Sequence, residues 1–176
     1  QGDWSSDVCS SDLVLGTPLL APPGPGEAEV LFGCGCFWGA EKGFWRLPGV
    51  VTTAVGYAGG SLPNPSYEKV CSGRTGHAEV VRVVWDSARV SFADLLKLFW
   101  ECHDPTQGDR QGNDRGSQYR SAIFVNDATL LAEAERSRQA YQEALAQRGF
   151  GPITTDIAQG QPFFAAEPYQ IGRAHV

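Results

Sequence analysis

Short β-branched and aromatic runs alternate along this chain with stretches rich in Gly and Pro. Val30-Leu31-Phe32 has the unbroken apolar character of a buried strand and runs into Gly33-Cys34-Gly35-Cys36. A helix is predicted from Phe37 to Arg46, stopped by Leu47-Pro48-Gly49. The β-branched stretch from Val50 to Tyr57 reads as a second strand, and Glu79 to Trp85 as a third. Ser91 with Asp94 approximates a capping box that opens a helix through Leu95, Leu96, Phe99 and Trp100. Ala122 to Val125 is the fourth strand. Leu130, Ala134, Tyr141 and Leu145 then recur at helical spacing, with Gly149 placed as the cap. Ile153 to Ile157 is a candidate edge strand. The order β-α-β-β-α-β is that of a split βαβ unit. The expected fold class is therefore α+β, a two-layer ferredoxin-like sandwich with helices on one face and long functional loops at 58–76 and 103–119.

A length of 176 residues suits one domain, and 42% hydrophobic with 19% charged residues marks it as globular. A net charge of -6 argues against nucleic acid as a partner, because phosphate binding needs clustered Lys and Arg. No apolar run is long enough to span a bilayer. Five cysteines, Cys9, Cys34, Cys36, Cys71 and Cys102, are an odd number at irregular spacing, which fits reactive or buried thiols better than a disulfide framework.

The two ends carry a different signal. Ile171 to Val176 can be encoded by ATC GGA AGA GCA CAC GTC, whose reverse complement reads Asp7-Val8-Cys9-Ser10-Ser11-Asp12. Complementary strands of one DNA segment at both ends are expected of a translated sequencing adapter, not of a native tail pair. Residues 1–13 and 170–176 are accordingly expected to be non-native and are set aside from fold reasoning. Residues 14–28, with Pro22-Pro23-Gly24-Pro25-Gly26, read as an extended arm, and 29–169 as the domain proper. There is no Met at position 1 or elsewhere, so the native N-terminus is not visible.

The chemistry concentrates at Gly35-Cys36-Phe37-Trp38-Gly39-Ala40-Glu41. A thiol there lies between a buried strand and the first turn of a helix, where unpaired backbone N–H groups and the helix dipole favour thiolate. Phe37 and Trp38 could wall an apolar pocket. On pattern alone a structural buried cysteine is an equal reading.

An ordered series of motifs decides between them: Gly35-Cys36-Phe37-Trp38-Gly39, Gly56-Tyr57-Ala58-Gly59-Gly60, Asn64-Pro65-Ser66-Tyr67, Thr75-Gly76-His77-Ala78-Glu79, His103-Asp104-Pro105-Thr106-Gln107, Arg110-Gln111-Gly112-Asn113-Asp114 and Gly116-Ser117-Gln118-Tyr119-Arg120-Ser121. In these the chain resembles the A-type peptide methionine sulfoxide reductases, over about Val14 to Tyr169. The resemblance implies thiol-dependent reduction of methionine S-sulfoxide, protein-bound and free, through a cysteine sulfenic acid, with thioredoxin as reductant. It implies Cys36 as nucleophile, Glu79 as the acid that protonates the sulfoxide oxygen, and Tyr67 and Tyr119 as hydrogen-bond donors to that oxygen. Phe37 and Trp38 would receive the S-methyl group and Asp114 the substrate backbone. No metal or organic cofactor is implied, and a cytoplasmic monomer is expected.

Similar proteins generally carry resolving cysteines in a C-terminal tail. None stands after Tyr169 here, so the recycling thiol stays open, and Cys102, late in a helix, reads as a packing thiol. Three rival readings have distinct consequences. Structural zinc would need a Cys or His spacing that the chain lacks. A Cys-His hydrolase would pair Cys36 with His77 or His103 and work without reductant. A peptide-binding module would keep its function in Cys36→Ser.

Overall fold

The computed structural model describes residues 22–61, 67–72 and 74–166. Among these, strand β1 (Glu27–Cys34) leads into helix α1 (Phe37–Trp45), and β2 (Val50–Ala58) follows a tight turn at Gly49. After the short helix α2 (Tyr67–Cys71) come β3 (Ala78–Asp86) and α3 (Phe92–Glu101). A two-residue hairpin, β4 (Arg110–Gln111) and β5 (Asp114–Arg115), and a 3-10 turn (Ser117–Tyr119) precede β6 (Ser121–Val125). Helix α4 (Ala128–Gln147), β7 (Asp156–Gln159) and β8 (Phe164–Ala165) complete the order.

The main sheet runs β7-β6-β1-β3-β2-β8. Its four central strands are antiparallel neighbours, with β1 between β3 and β6 and β3 between β1 and β2. That is the split βαβ order, in an α+β fold. The added edges are β7, parallel to β6, and β8, antiparallel to β2.

Strand alternation sorts the core into two faces. Val30, Phe32, Val81, Val83, Trp85 and Ile123 share one face with Phe44, Phe92, Leu95, Leu96 and Phe99 of the helices. Leu31, Ala58, Val80, Ala122 and Phe124 line the other, covered by Phe163 of the C-terminal segment. The helices thus sit on one face, as the element order predicts. Stacked rings at the centre, Phe32 with Phe44 at 5.0 Å and with Phe99 at 4.8 Å, fasten α1 and α3 to β1.

The local devices explain the element limits. Ser91 accepts from the Asp94 backbone N–H while Asp94 accepts from that of Ser91, a complete capping box. The Asp127 side chain caps α4, and Gly149 ends it at φ 82°.

Three details depart from the sequence reading. Regular structure begins at Glu27, two residues early, because the Pro25–Gly26 turn lets Glu27 already pair with Asp86. The last strand lies at Asp156–Gln159 instead of 153–157. The Ile153 N–H is drawn to Gln142 Oε1 and the Thr154 N–H to the Pro105 carbonyl, so ladder pairing starts later. The 58–76 loop contains α2, and the 103–119 loop contains the hairpin. Residues 1–21 and 167–176, which include both adapter-like ends, lie outside the described residues. Among the described residues no helix is long and apolar enough to cross a membrane.

Candidate functional site

Cys36 is the N-cap of α1, in extended backbone, with no side-chain capping bond of its own. It sits where the last ladder residue of β1 gives way to the first helical turn, so its sulfur lies at the positive end of the helix. Gly35 makes the junction possible. Its φ is 94°, and a Cβ there would come within 2.9 Å of Gln111 on the hairpin. The half-exposed Cys36 is thereby presented at the edge of the sheet while Phe37, one residue on, is buried.

Glu79 is the other half of the site. It is the second residue of β3 and shares the face of Val81, Val83 and Trp85, so alternation alone turns its carboxyl toward the helix layer. The side chain is buried at 1% exposure, and Oε1 accepts from the Phe37 backbone N–H at 3.3 Å. Burial raises its pKa to about 7, against the pull of the Phe37 N–H and with help from the negative charge of Asp114. A carboxyl adjoining the Cys36 junction therefore keeps a substantial share of its neutral acid form near pH 7, where an ordinary glutamate is ionised. Tyr57 is its cross-strand partner on β2, fully buried, with its ring 5.8 Å from that of Phe37.

Asp114 is exposed at the start of β5, where the hairpin brings it close enough to influence Glu79. The hairpin is anchored to the preceding loop by Gln111, which accepts from the Asp104 N–H at 3.0 Å and donates to the Asp104 carbonyl at 2.9 Å. Asp104 in turn accepts from Thr106 and from Gln107 Nε2. Tyr119 is half-buried at the end of the 3-10 turn. The structure thus gathers Cys36, Phe37, Glu79 and Asp114 about one junction and sets Tyr119 a few residues beyond the hairpin. Tyr67 opens α2 and Trp38 lies in α1, but their side chains fall outside the described residues.

The glycine-rich motif after β2 also has a physical reason. Gly59 has φ 80°, and a Cβ on Gly60 would meet the His77 ring at 2.3 Å. His77 is buried, and neither ring nitrogen has a hydrogen-bond partner among the described residues. Burial and then the Arg120 charge lower its pKa, so it is neutral. His103 Nδ1 lies 2.8 Å from the Phe99 carbonyl and Nε2 lies 2.8 Å from Ser121 Oγ. That ring is occupied away from Cys36, which removes the geometric basis for His103 as the base of a hydrolase.

Sequence reasoning passed over Glu41, Tyr57 and Gln111. Glu41 is completely buried and accepts from Thr53 Oγ1 at 2.8 Å. Its signal was present, since it completes the stripe Phe37, Ala40, Glu41, Phe44 at helical spacing. Gln111 left no comparable signal, because its partner is a backbone seven residues away.

Fold and site together define the class, an α+β protein that presents a cysteine at a helix N-terminus beside a carboxyl whose pKa burial raises to about 7. The family model described as "Peptide methionine sulfoxide reductase" matches residues 28–171. The chain is 59% identical over 162 residues to the peptide methionine sulfoxide reductase MsrA of Azotobacter vinelandii, covering 92% of this chain and 75% of that protein. Among solved structures it is similar to methionine sulfoxide reductase A of Corynebacterium diphtheriae, with a TM-score of 0.86 at 44% identity over 93% of this chain and 80% of that one. It also resembles Mxr1 of Saccharomyces cerevisiae in reduced form, with a TM-score of 0.77 at 32% identity over 85% of each chain. The chain belongs to the peptide methionine sulfoxide reductase family.

Proposed function

We propose that the protein reduces the S epimer of methionine sulfoxide, in peptides and free, with Cys36 as nucleophile and Glu79 as general acid. The observation that carries this reading is the buried Glu79 carboxyl, with its pKa at about 7, accepting from the N–H of the residue next to Cys36. The Cys36 thiolate attacks the sulfoxide sulfur, and the oxygen takes a proton from Glu79 as it leaves that sulfur. The oxygen ends on Cys36, so the thiol becomes a sulfenic acid and the sulfoxide becomes methionine, a two-electron exchange with no cofactor. Neutral Glu79 suits this role because a carboxylate could not give the proton.

Tyr67 and Tyr119 are proposed as O–H donors to the same oxygen. The S-methyl group is placed against Phe37 and Trp38, and Asp114 on the exposed hairpin accepts from the substrate backbone. A second thiol then attacks the sulfenic acid sulfur and releases water, and the dithiol of thioredoxin reduces the resulting disulfide. Reduced-thiol chemistry favours the cytoplasm as the working compartment. Residues 29–169 are proposed as the working domain, and the monomer as the working unit.

The experiment uses purified protein, dithiothreitol and a peptide bearing each methionine sulfoxide epimer separately, read by mass spectrometry. Conversion of the S epimer alone, lost in Cys36→Ser, is the expected outcome. Conversion of neither epimer by folded protein, or an undiminished rate in Cys36→Ser, overturns the reading.

A further inference from the structure

A second group of sulfurs lies behind the Cys36 junction, and neither the sulfoxide chemistry nor any spacing rule uses it. Cys34, the last residue of β1, points to the helix face and is buried at 8% exposure. Cys102, the C-cap of α3, is exposed. The sulfurs of Cys34 and Cys102 and a ring nitrogen of His103 all lie within 4.8 Å of one another. The sequence reading of Cys102 as a packing thiol is therefore corrected: ending α3 at its C-cap leaves this residue at the surface with its sulfur turned to Cys34.

We propose that Cys34 and Cys102 form a second redox centre, a dithiol that closes to a disulfide by exchange with a low-molecular-weight disulfide. The arrangement has the asymmetry such exchange needs. The Cys34 S–H donates to the Cys102 sulfur, which together with burial holds Cys34 as a thiol. The same bond, and after it His103, whose Nδ1 lies 3.8 Å from the Cys102 sulfur, favours thiolate at Cys102. His103 is fixed for this part, since Nδ1–H donates to the Phe99 carbonyl and Nε2 meets the Ser121 hydroxyl, itself 2.8 Å from Thr155 Oγ1. Ser121 is also the cross-strand neighbour of Cys34, so sheet register and helix end converge on one spot.

That ring geometry separates dithiol chemistry from metal binding. Three groups within 4.8 Å could hold an ion. Yet with Nδ1 protonated toward Phe99 and Nε2 on Ser121, no imidazole lone pair faces the sulfurs. An entry for the exchanging molecule exists: Cys102 borders an open cavity of about 290 Å³ walled by Trp100, Pro105, Tyr141 and Phe150. The exchange balances in two steps. The Cys102 thiolate attacks one sulfur of the small disulfide, forming a mixed disulfide and expelling one thiolate. Cys34 gives up its proton and attacks the Cys102 sulfur, expelling the second thiolate and closing the Cys34–Cys102 bond. The pair, thiolate at Cys102 and thiol at Cys34, loses two electrons and one proton, and the small disulfide becomes two thiols on taking a second proton from water.

The test uses the full chain carrying Cys36→Ser, exposed to oxidised glutathione, alkylated, digested and mapped by mass spectrometry. A peptide linked through Cys34 and Cys102, reopened by dithiothreitol, is expected. Cys102→Ser in the same chain should leave Cys34 unmodified, whereas Cys34→Ala should leave Cys102 as a lasting mixed disulfide with glutathione. Iodoacetamide at pH 6 should label Cys102 about tenfold faster than Cys34 in the reduced protein. Recovery of Cys34 and Cys102 as separate alkylated thiols from folded protein overturns the proposal. So does stoichiometric zinc uptake that Cys102→Ser abolishes, with no linked peptide formed.

Discussion

Glu79 shows how much a single residue's surroundings can change its chemistry. An exposed glutamate would be ionised at neutral pH; burial under the helix layer moves this one to about 7. Its acid form is lost as pH rises through that value, so the rate of sulfoxide reduction should fall on the alkaline side of pH 7. The same shift has a stability consequence with a defined sign. The folded state holds the proton more tightly than the unfolded chain, so stability is fullest below the ordinary value of 4.5 and declines until pH passes about 7. The interval corresponds to about 3 kcal/mol. Glu79→Gln should therefore be more stable than the parent at pH 8, by up to about that amount, while its reduction rate drops by at least about a hundredfold. Parallel urea titrations and epimer-specific turnover test both; a variant that loses activity because it is unfolded would show the opposite stability change.

At the level of elements, the junction of β1 and α1 has to bring three pieces together: a strand end, a helix start and the hairpin behind them. Gly35 is the hinge of that contact. Gly35→Ala should strain the backbone at φ 94° and press on Gln111, costing about 1–3 kcal/mol in equilibrium unfolding and lowering turnover together. Ser91→Ala at the start of α3 provides the contrast. It removes half of a capping box far from the junction, and should cost about 1 kcal/mol with turnover per folded molecule unchanged. Gln111→Ala should behave like neither. It unties the hairpin from the Asp104 backbone, so activity should fall with little change in unfolding midpoint. Most of these elements were legible from residue pattern, because β-branched runs and caps act locally. The 110–115 hairpin and the β8 edge were not, since a two-residue strand carries no period to read.

Across the whole molecule, the C-terminal segment closes the sheet face that the helices leave open. Gly56 allows that closure, since a Cβ there would meet the Phe164 carbonyl at 2.2 Å and the Phe163 ring at 2.6 Å. Gly56→Val should strip β8 from β2 and uncover Ala58, Val80 and Phe124. The expected loss is about 2–4 kcal/mol, with raised binding of an apolar dye, measured by thermal unfolding and fluorescence. The part-buried pair Arg82–Glu29, at 2.6 Å, lies on that same side of β3.

The sequence by itself determined the four central strands, the long helices, the α+β order and the place of Cys36 at a strand-to-helix junction. Each follows from local periodicity or from a capping or turn residue, whose energetics involve only near neighbours. Alternation sets Glu79 on one face of β3 with Val81, Val83 and Trp85, but which face the helices cover is decided by the fold. Only the tertiary structure decided that this carboxyl is buried enough for its pKa to reach about 7, that the charge of Asp114 acts on it, and that Gln111 holds the hairpin there. It alone brought Cys34 to Cys102 across sixty-odd residues of chain. Desolvation and through-space charge depend on what the folded chain packs around a group, and no pattern along the chain records that distance.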